Sequence, residues 1–252
     1  MPIDRHAEII DLAKRAGGVS VETLAEKFGV SVQTIRKDLN GLTERGTLKR
    51  IHGGAVFPSS VENVEYEARR RIAAPQKEAI GKAAARLVPS GASVFVNIGT
   101  TTEAVAQALS DHQGLMVITN NINVANRLRV HAGIEVVIAG GVVRASDGGI
   151  VGEAAVDFFR QFKTDYAVIG ASALDAEGTL FDFDFREVKV AQAIIANARH
   201  VILVADATKF ERTAPVRIAQ IEQIGTFVTD RCPEEWRELC AERGVGLVET
   251  GA

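Results

Sequence analysis

Near the start of the chain, apolar residues recur at the three- and four-residue spacing of amphipathic helices. Leu24, Ala25 and Phe28 fall on one face of a predicted helix. Ser20 precedes this helix and can cap its free N–H groups, and Gly29 follows it, where a residue that tolerates positive φ is favoured. The pattern therefore predicts a short helix between Ser20 and Gly29.

A second helix is predicted directly after this turn, with its apolar residues Ile35, Leu39 and Leu42 facing a core. Its opposite face is polar and cationic. Amides and guanidinium groups can read base edges and cations can bind phosphates, although a solvated helix face has the same pattern. The residues of this helix and its cap that we expect to contact DNA are Ser31, Gln33, Thr34, Arg36, Lys37 and Asn40.

Two flanking features favour the DNA-binding interpretation. The turn has the length of a helix-turn-helix, and an amphipathic helix with Ile9 and Ala13 on one face precedes it. After the second helix, Lys49, Arg50 and His52 lie on a predicted strand that ends in Gly53-Gly54. This is the pattern of the wing of a winged helix, and we expect Arg50 and His52 to contact DNA from it.

From Pro75 onwards the pattern alternates between helix-like segments and short apolar runs. Runs such as Val201–Val204 are apolar throughout, which is typical of strands buried on both faces of a parallel sheet. The predicted helices are Gln76–Leu87, Thr102–Leu109, Asn123–Arg129, Ala154–Phe159, Val188–Asn197 and Glu234–Arg243. The predicted strands include Val94–Val96, Met116–Ile118, Val136–Ala139, Ala167–Ile169, Val201–Val204, Thr226–Val228 and Gly246–Val248.

These patterns predict an α/β protein with a winged helix-turn-helix domain at 1–57, a linker at 58–74 and a larger α/β domain at 75–252. The charge agrees with this division. The chain has a net charge of −3, but its first 60 residues carry 9 Lys or Arg against 7 Asp or Glu. The small basic excess therefore lies where a phosphate backbone would bind.

Composition excludes several classes of protein. With 46% apolar and 24% charged residues, the chain resembles an ordinary globular protein, and no apolar run reaches membrane-spanning length. The polar start does not resemble a signal peptide. Cys232 and Cys240 are separated by two helical turns, too far for a disulfide, and they have no His cluster nearby for a metal. We therefore expect a cytoplasmic protein with reduced cysteines, no metal, no cofactor and no membrane contact.

The carboxyl ends of the predicted strands carry a candidate ligand site, because ligands of open α/β sheets bind there. After the first strand comes Asn97-Ile-Gly-Thr-Thr-Thr102, which leads directly into a helix. Gly99 permits close backbone approach, and the hydroxyls of Thr100 and Thr101 join the helix N–H groups in an anion pocket. Thr and Gly can also cap a helix for purely structural reasons.

Three further strand ends carry small, amide, hydroxyl or charged groups. These are Thr119-Asn-Asn121, the glycine-rich segment from Gly140 to Gly152, and Asp206-Ala-Thr-Lys209. A phosphorylated sugar or polyol would suit them. Its hydroxyl groups could bond to the amide and carboxylate side chains, and its phosphate could bind the threonines and the lysine. The predicted ligands here are Asn97, Gly99, Thr100, Thr101, Asn120, Gly140, Gly141, Gly152, Asp206 and Lys209.

The stretch Phe181-Asp-Phe-Asp-Phe-Arg186 alternates aromatic and charged residues. One interpretation is a half-buried segment with an acidic outer face. The other is a cover over the ligand, in which Asp182 or Asp184 binds substrate hydroxyls. The sequence leaves both open.

Several segments resemble the DeoR family of bacterial transcriptional repressors, and two of them point to its glycerol-3-phosphate branch. Those two are Asp147-Gly-Gly-Ile-Val-Gly-Glu-Ala154 and Phe183-Asp-Phe-Arg-Glu-Val188. The other matching segments are Val32-Gln-Thr-Ile-Arg-Lys-Asp-Leu39, His52-Gly-Gly-Ala55, Ile98-Gly-Thr-Thr101 and Thr119-Asn-Asn121. The resemblance runs from Arg5 nearly to the end of the chain.

The resemblance implies a winged helix on double-stranded operator DNA and a sensor domain related to ribose-5-phosphate isomerase. It implies a repressor, not an enzyme, whose DNA affinity is lowered by a phosphorylated metabolite. Our hypothesis is a dimer or tetramer that glycerol-3-phosphate releases from DNA. Where the family often has Asp, this chain has Asn97, whose amide cannot act as a general base. Another sugar phosphate as effector, or an isomerase that uses Glu153, Asp182 or Asp206, remains an alternative.

Overall fold

The computed structural model describes residues 5–45, 47–57 and 63–251, and the chain divides into two compact units at the Ala74–Pro75 bond. The first unit contains four helices and a small sheet among its described residues. They are α1 (Arg5–Ala16), β1 (Gly18–Ser20), α2 (Val21–Phe28), α3 (Val32–Glu44), β2 (Lys49–Ile51), β3 (Gly54–Val56) and α4 (Tyr66–Arg71).

The helix-turn-helix of the first unit is built as its sequence predicts. Ser20 caps α2 by accepting from the N–H of Thr23 at 3.1 Å, and Gly29 ends that helix at φ 62°. The inner faces of α1, α2 and α3 meet in one apolar core that excludes water. Its most deeply buried members are Ile9, Ala13, Leu24, Ile35, Leu39 and Leu42.

The wing differs from the prediction in two respects. The strand predicted to end in Gly53-Gly54 stops at Ile51, and Gly54 begins the returning strand β3. A third strand, β1, pairs with β3 and was not predicted. A side chain at Gly54 would collide with the backbone oxygen of Val19, so the close pairing of β1 and β3 requires a glycine there.

The segment predicted as a linker, 58–74, contains α4, and its residues 58–62 lie outside the described ranges. Further along this segment, Val64 and Ile72 pack with Ile51 and Val56 in a small apolar cluster. The domain boundaries at 57 and 74 stay predictions.

The second unit is a mixed α/β domain, as predicted. Its helices are α5 (Ala74–Ala85), α6 (Thr100–Ala108), α7 (Ile122–Leu128), α8 (Glu153–Phe159), α9 (Phe185–Ala196) and α10 (Glu234–Glu242). Its strands are β4 (Ser93–Val96), β5 (Leu115–Thr119), β6 (Ile134–Ile138), β7 (Val142–Val143), β8 (Ile150–Val151), β9 (Thr164–Ile169), β10 (Ala173–Leu174), β11 (Thr179–Asp182), β12 (Ala198–Val204), β13 (Val216–Gln220), β14 (Thr226–Thr229) and β15 (Gly246–Glu249).

Seven of these strands form one parallel sheet, in the order β15-β14-β12-β9-β4-β5-β6. Helices cover both of its faces. Val94 and Val96 point into the core shared with α5, α6 and α7, whereas Phe95 points into the core shared with α8 and α9. Burial on both faces explains why these strands read as continuous apolar runs.

The strand order reverses beside β4, since the chain runs outward through β5 and β6 and then returns to β9 on the other side. At such a switch point the loops that follow the two neighbouring strands diverge and leave a crevice. The crevice at the carboxyl ends of β4 and β9 is therefore the place in this sheet where a ligand is expected.

Two smaller sheets were not predicted. A hairpin of β7 and β8 follows β6, and β10, β11 and β13 form an antiparallel sheet. The strands β7, β8 and β10 are too short to show a period in the sequence. Across the ranges that the structure describes, no helix has the length and apolar character needed to cross a membrane.

Candidate functional site

The candidate DNA-binding surface is the outer face of α3. Ser31 caps this helix by accepting from the N–H of Thr34 at 3.1 Å, so both side chains hold the start of the helix. The side chains predicted to meet DNA form one solvent-facing row, because Ile35, Leu39 and Leu42 turn the other face inward. The exposed members of this row are Gln33, Arg36, Lys37 and Asn40.

An ion pair that the sequence did not reveal joins the inner side of α3 to α1. Asp38 is buried, and it accepts from Nε and Nη2 of Arg5 at 2.6 and 3.1 Å and contacts His6 at 3.1 Å. The hydrogen bonds from Arg5 hold the pKa of the Asp38 carboxyl below its ordinary value, against the effect of burial. Asp38 therefore fixes α3 to α1.

The wing presents its two predicted DNA-binding residues differently. His52 is exposed in the turn between β2 and β3. Arg50 is half-buried and donates from Nη1 to the carbonyl of Gly54 across that turn. This bond uses the Nη1 donor of the guanidinium group and fixes the orientation of its other N–H groups.

In the second unit, the residues after β4 lie at the switch point. The N–H of Asn97 donates to Val168 in β9, and Thr119 at the end of β5 donates from Oγ1 to the carbonyl of Val96. These bonds bring three strand ends together. A Cβ built on Gly170 would lie 3.8 Å from both Thr102 Cγ2 and Val204 O, which places the end of β12 beside the start of α6.

The amino end of α6 has the geometry of an anion site. Gly99 stands at its cap position with φ 144°, a conformation that L side chains rarely adopt, and no side chain caps the helix. Thr102 donates from Oγ1 to the carbonyls of Asn97 and Gly99, which holds the turn in place. Thr101 is buried and Thr100 is half-buried beside this end.

Three buried oxygens at these strand ends accept no hydrogen bond from the described residues. They are Asn97 Oδ1, Asn120 Oδ1 and Asp206 Oδ2, on residues no more than 2% exposed. Buried polar atoms are almost always paired, and a buried acceptor without a partner costs about 1–3 kcal/mol. Ligand hydroxyl groups that donate to these oxygens would remove that cost.

Asp206 also lies among cations. Burial opposes its ionisation, but the charges of Lys209 and Lys77 and a hydrogen bond from Thr208 lower its pKa below the ordinary value. Asp206 is therefore ionised in the fold. Lys209 was a predicted ligand, whereas Lys77 was not recognised in the sequence.

A charged cluster centred on Arg144, in the glycine-rich loop after β6, was also missed. Arg144 donates to Asp147, to Asp184 at 3.1 Å and to Glu187 at 2.6 Å. The bonds tie the glycine-rich loop after β6 to the start of α9. The sequence did not reveal this cluster, because Asp184 and Glu187 lie about forty residues from Arg144.

The two acidic residues of the Phe-Asp-Phe segment are both engaged within the fold. Asp182 is buried and accepts from Ser172 Oγ at 2.9 Å. Asp184 caps α9, which begins at Phe185 and not at Val188 as predicted. Hydrogen bonds from Arg186, with help from Arg144 and despite partial burial, lower the pKa of Asp184 to about 2.

The predicted glycines separate into two groups. Gly140 and Gly141 are exposed beside the β7–β8 hairpin, and Gly152 stands at the cap of α8 with φ 101°. Gly149, which was not a predicted ligand, packs its backbone closely against Ile98. The loop therefore approaches the site through Gly149, and a ligand role for the other three stays a prediction.

A second cavity lies at the opposite, amino end of the sheet. It has a volume of about 550 Å³ and is lined mainly by backbone and short side chains between Gly91 and Glu135. Its charged lining residues are Glu135 and Asp165, so it suits an anion poorly. No group of three or more His, Cys, Asp or Glu is placed to hold a metal ion in the described part of the chain.

Comparison with known proteins identifies the family. The DeoR-like helix-turn-helix domain matches residues 5–61, and the DeoR C terminal sensor domain matches residues 72–231. The chain belongs to the DeoR family. The family expected from the sequence is thus confirmed over both units.

Several DeoR-family relatives match almost end to end. The glycerol-3-phosphate regulon repressor of Escherichia coli strain K12 is 46% identical over 91% of this chain and 91% of that protein. The protein of the same name from Haemophilus influenzae is 46% identical over 97% of this chain and 95% of its own length. The transcriptional repressor CsqR of Escherichia coli strain K12 is 38% identical over 91% and 88%.

Part of the chain also matches a solved structure. Ribose 5-phosphate isomerase A from Neisseria gonorrhoeae covers 57% of this chain and 54% of that chain, with 13% identity and a TM-score of 0.39. This overlap carries no information on activity.

Proposed function

We propose that this DeoR-family chain represses a glycerol or glycerol-3-phosphate catabolic regulon, and that a phosphorylated metabolite releases it from operator DNA. The names of its relatives at 46% identity support the regulon. The observation that carries the effector site is the group of three buried, unpaired oxygens beside the uncapped end of α6.

This arrangement favours one class of ligand. The amino end of α6, with Thr100, Thr101 and the ammonium of Lys209, suits a phosphate group. The acceptors on Asn97, Asn120 and Asp206 need donors, which hydroxyl groups of a polyol or sugar can supply. A small phosphorylated polyol satisfies both requirements, and glycerol-3-phosphate is our favoured effector.

On the DNA side, the exposed row of α3 would enter the major groove. Gln33, Arg36 and Asn40 are suited to base edges, while Lys37 and the wing residue His52 are suited to phosphates. Operators read by such helices are repeated half-sites, so we propose a dimer or tetramer in the cytoplasm.

A thermal-shift screen tests the effector directly. The panel contains glycerol-3-phosphate, other polyol and sugar phosphates, glycerol and inorganic phosphate. A ligand that binds only the folded state increases the free energy of unfolding, by about 2.7 kcal/mol when its concentration is a hundred times its Kd. The melting temperature rises accordingly. The proposal expects the largest shift from glycerol-3-phosphate and little from glycerol.

Two results would redirect the proposal. A larger shift with another sugar phosphate keeps the repressor and changes the regulon. Conversion of ribose-5-phosphate in a coupled isomerase assay would instead establish an enzyme, although Asn97 offers no general base.

A further inference from the structure

Lys77 is a buried cation that neither the DNA surface nor the predicted effector ligands account for. It is 4% exposed on α5, the helix that begins at Ala74, one residue before the start of the second unit. A lysine is seldom this buried unless an anion compensates it, because its charge loses hydration.

The packing of α5 on α6 places Lys77 near the amino end of α6, where the phosphate is proposed to bind. A side chain at Gly81 would lie 2.6 Å from the carbonyl of Ala104, so the two backbones touch there. Lys77 lies one turn before Gly81 on the same face of α5, and Thr100 lies one turn before Ala104 on α6. Because each helix leads into or out of β4, the two run in the same direction, and Lys77 faces the amino end of α6.

A buried anion near Lys77 is Asp206. Burial raises the pKa of its carboxyl, but the nearby charges of Lys209 and Lys77 outweigh this effect and lower the pKa below its ordinary value. Asp206 Oδ2 accepts no hydrogen bond within the described part of the chain. Lys77 therefore lies between the Asp206 carboxylate and the amino end of α6, where we propose that the effector's phosphate binds.

We propose that Lys77 is a ligand of the effector's phosphate and that binding moves its ammonium from Asp206 toward that phosphate. The proposal rests on the function proposed above and deepens it. Since Lys77 stands in the first turn of α5, next to the joint between the units, this change of partner is the first step by which effector binding reaches the DNA-binding unit.

The test compares three proteins: wild type, Lys77→Met/Asp206→Asn and the matched control Lys82→Met. The double variant removes the buried charge together with its counter-charge, so that folding is preserved. Because Asp206 is itself a proposed acceptor for effector hydroxyls, the part played by Lys77 is measured with inorganic phosphate, which has no polyol hydroxyls. Lys82 is exposed on the same helix and pairs with Glu78 at 2.6 Å, away from the site. Each protein is titrated with glycerol-3-phosphate and with inorganic phosphate, and melting temperature and operator affinity are measured.

We expect the double variant to melt near the wild type but to bind both phosphates about tenfold to a hundredfold more weakly, the loss typical of one charged hydrogen bond. Glycerol-3-phosphate should no longer release it from the operator, while Lys82→Met responds as the wild type does. A double variant that binds phosphate and releases operator normally would overturn the proposal, because Lys77 would then only neutralise Asp206.

Failure of the proposed effector gives a different result. If inorganic phosphate stabilises the wild type through Lys77 while glycerol-3-phosphate never releases operator, the ligand role of Lys77 stands and the effector is wrong. If neither phosphate stabilises the wild type, both proposals are overturned.

Discussion

At the residue scale, each unit has its own set of polar side chains to test: the exposed row of α3 in the first unit, and the strand ends around Asn97 and Asp206 in the second.

Arg36 provides a test of base reading by α3. Replacing it with alanine should weaken specific operator binding by about 1–3 kcal/mol, because a bidentate arginine on a guanine contributes that much discrimination. Arg36→Lys distinguishes the two roles, since a lysine keeps the phosphate contact but not the fork. Operator and random DNA are compared by fluorescence anisotropy at several salt concentrations.

Two outcomes would count against this role of Arg36. Equal operator binding by Arg36→Ala and wild type would place the recognition surface elsewhere. Wild-type operator binding by Arg36→Lys would mean that Arg36 contacts only a phosphate and does not read a base.

Thr100 provides the matching test in the sensor. Thr100→Val keeps the shape of the side chain and removes its hydroxyl, so it should weaken phosphate binding and give a repressor that stays on its operator. A reporter gene measures the response to added effector, and Ser110→Ala, just beyond the carboxyl end of α6, serves as the control. Normal induction of Thr100→Val would move the phosphate away from this end of α6.

Among single residues, the sequence predicted those that act locally. The caps Ser20, Ser31 and Gly29 were predicted because each acts on its own helix. Arg144 was missed because Asp184 and Glu187 lie about forty residues away from it in the sequence. Polar side chains at strand ends revealed the candidate site, but which oxygens remain unpaired is decided only by the fold.

At the element scale, the strands of the parallel sheet were predicted, whereas β10, β11 and β13 of the smaller antiparallel sheet were not. All seven strands of the parallel sheet were predicted, and the central ones, such as β4, β9 and β12, stand out because residues on both of their faces are buried. The strands β1, β7 and β10 have two or three residues and show no period. The start of α9 was missed because Asp184 caps it within a segment that alternates like a strand.

The link between α1 and α3 can be tested through Asp38. Its pKa is lowered in the fold, chiefly by Arg5, so it stabilises the first unit above its ordinary pKa of 3.8, and this stabilisation is lost as pH falls through the lower folded value. Asp38→Asn should cost about 1 kcal/mol at neutral pH and weaken operator binding. The difference from wild type should disappear in acid.

Urea unfolding separates this effect from the rest of the molecule. The one tryptophan of the chain, Trp236, lies in the second unit and reports only on that unit, whereas circular dichroism reports on both. Asp38→Asn should shift the circular dichroism transition of the first unit and leave the fluorescence transition in place. A shift of both transitions would mean that the two units unfold together.

At the scale of the whole molecule, the sequence predicted a winged helix followed by an α/β domain, and its family is confirmed. It could not predict the strand order, because the position of the switch point depends on which strands pair across the chain. That order places the ends of β4, β9 and β12 side by side and assembles the site from segments more than a hundred residues apart.

The most direct test of the account is the coupling between the two sites. Operator affinity of the wild-type chain is measured with and without glycerol-3-phosphate, and effector affinity with and without operator. Linkage requires both ratios to be equal, and an allosteric repressor typically gives about 5- to 150-fold. We predict weaker operator binding with effector and an equal loss of effector affinity on operator. Equal operator affinity with saturating effector would contradict the account.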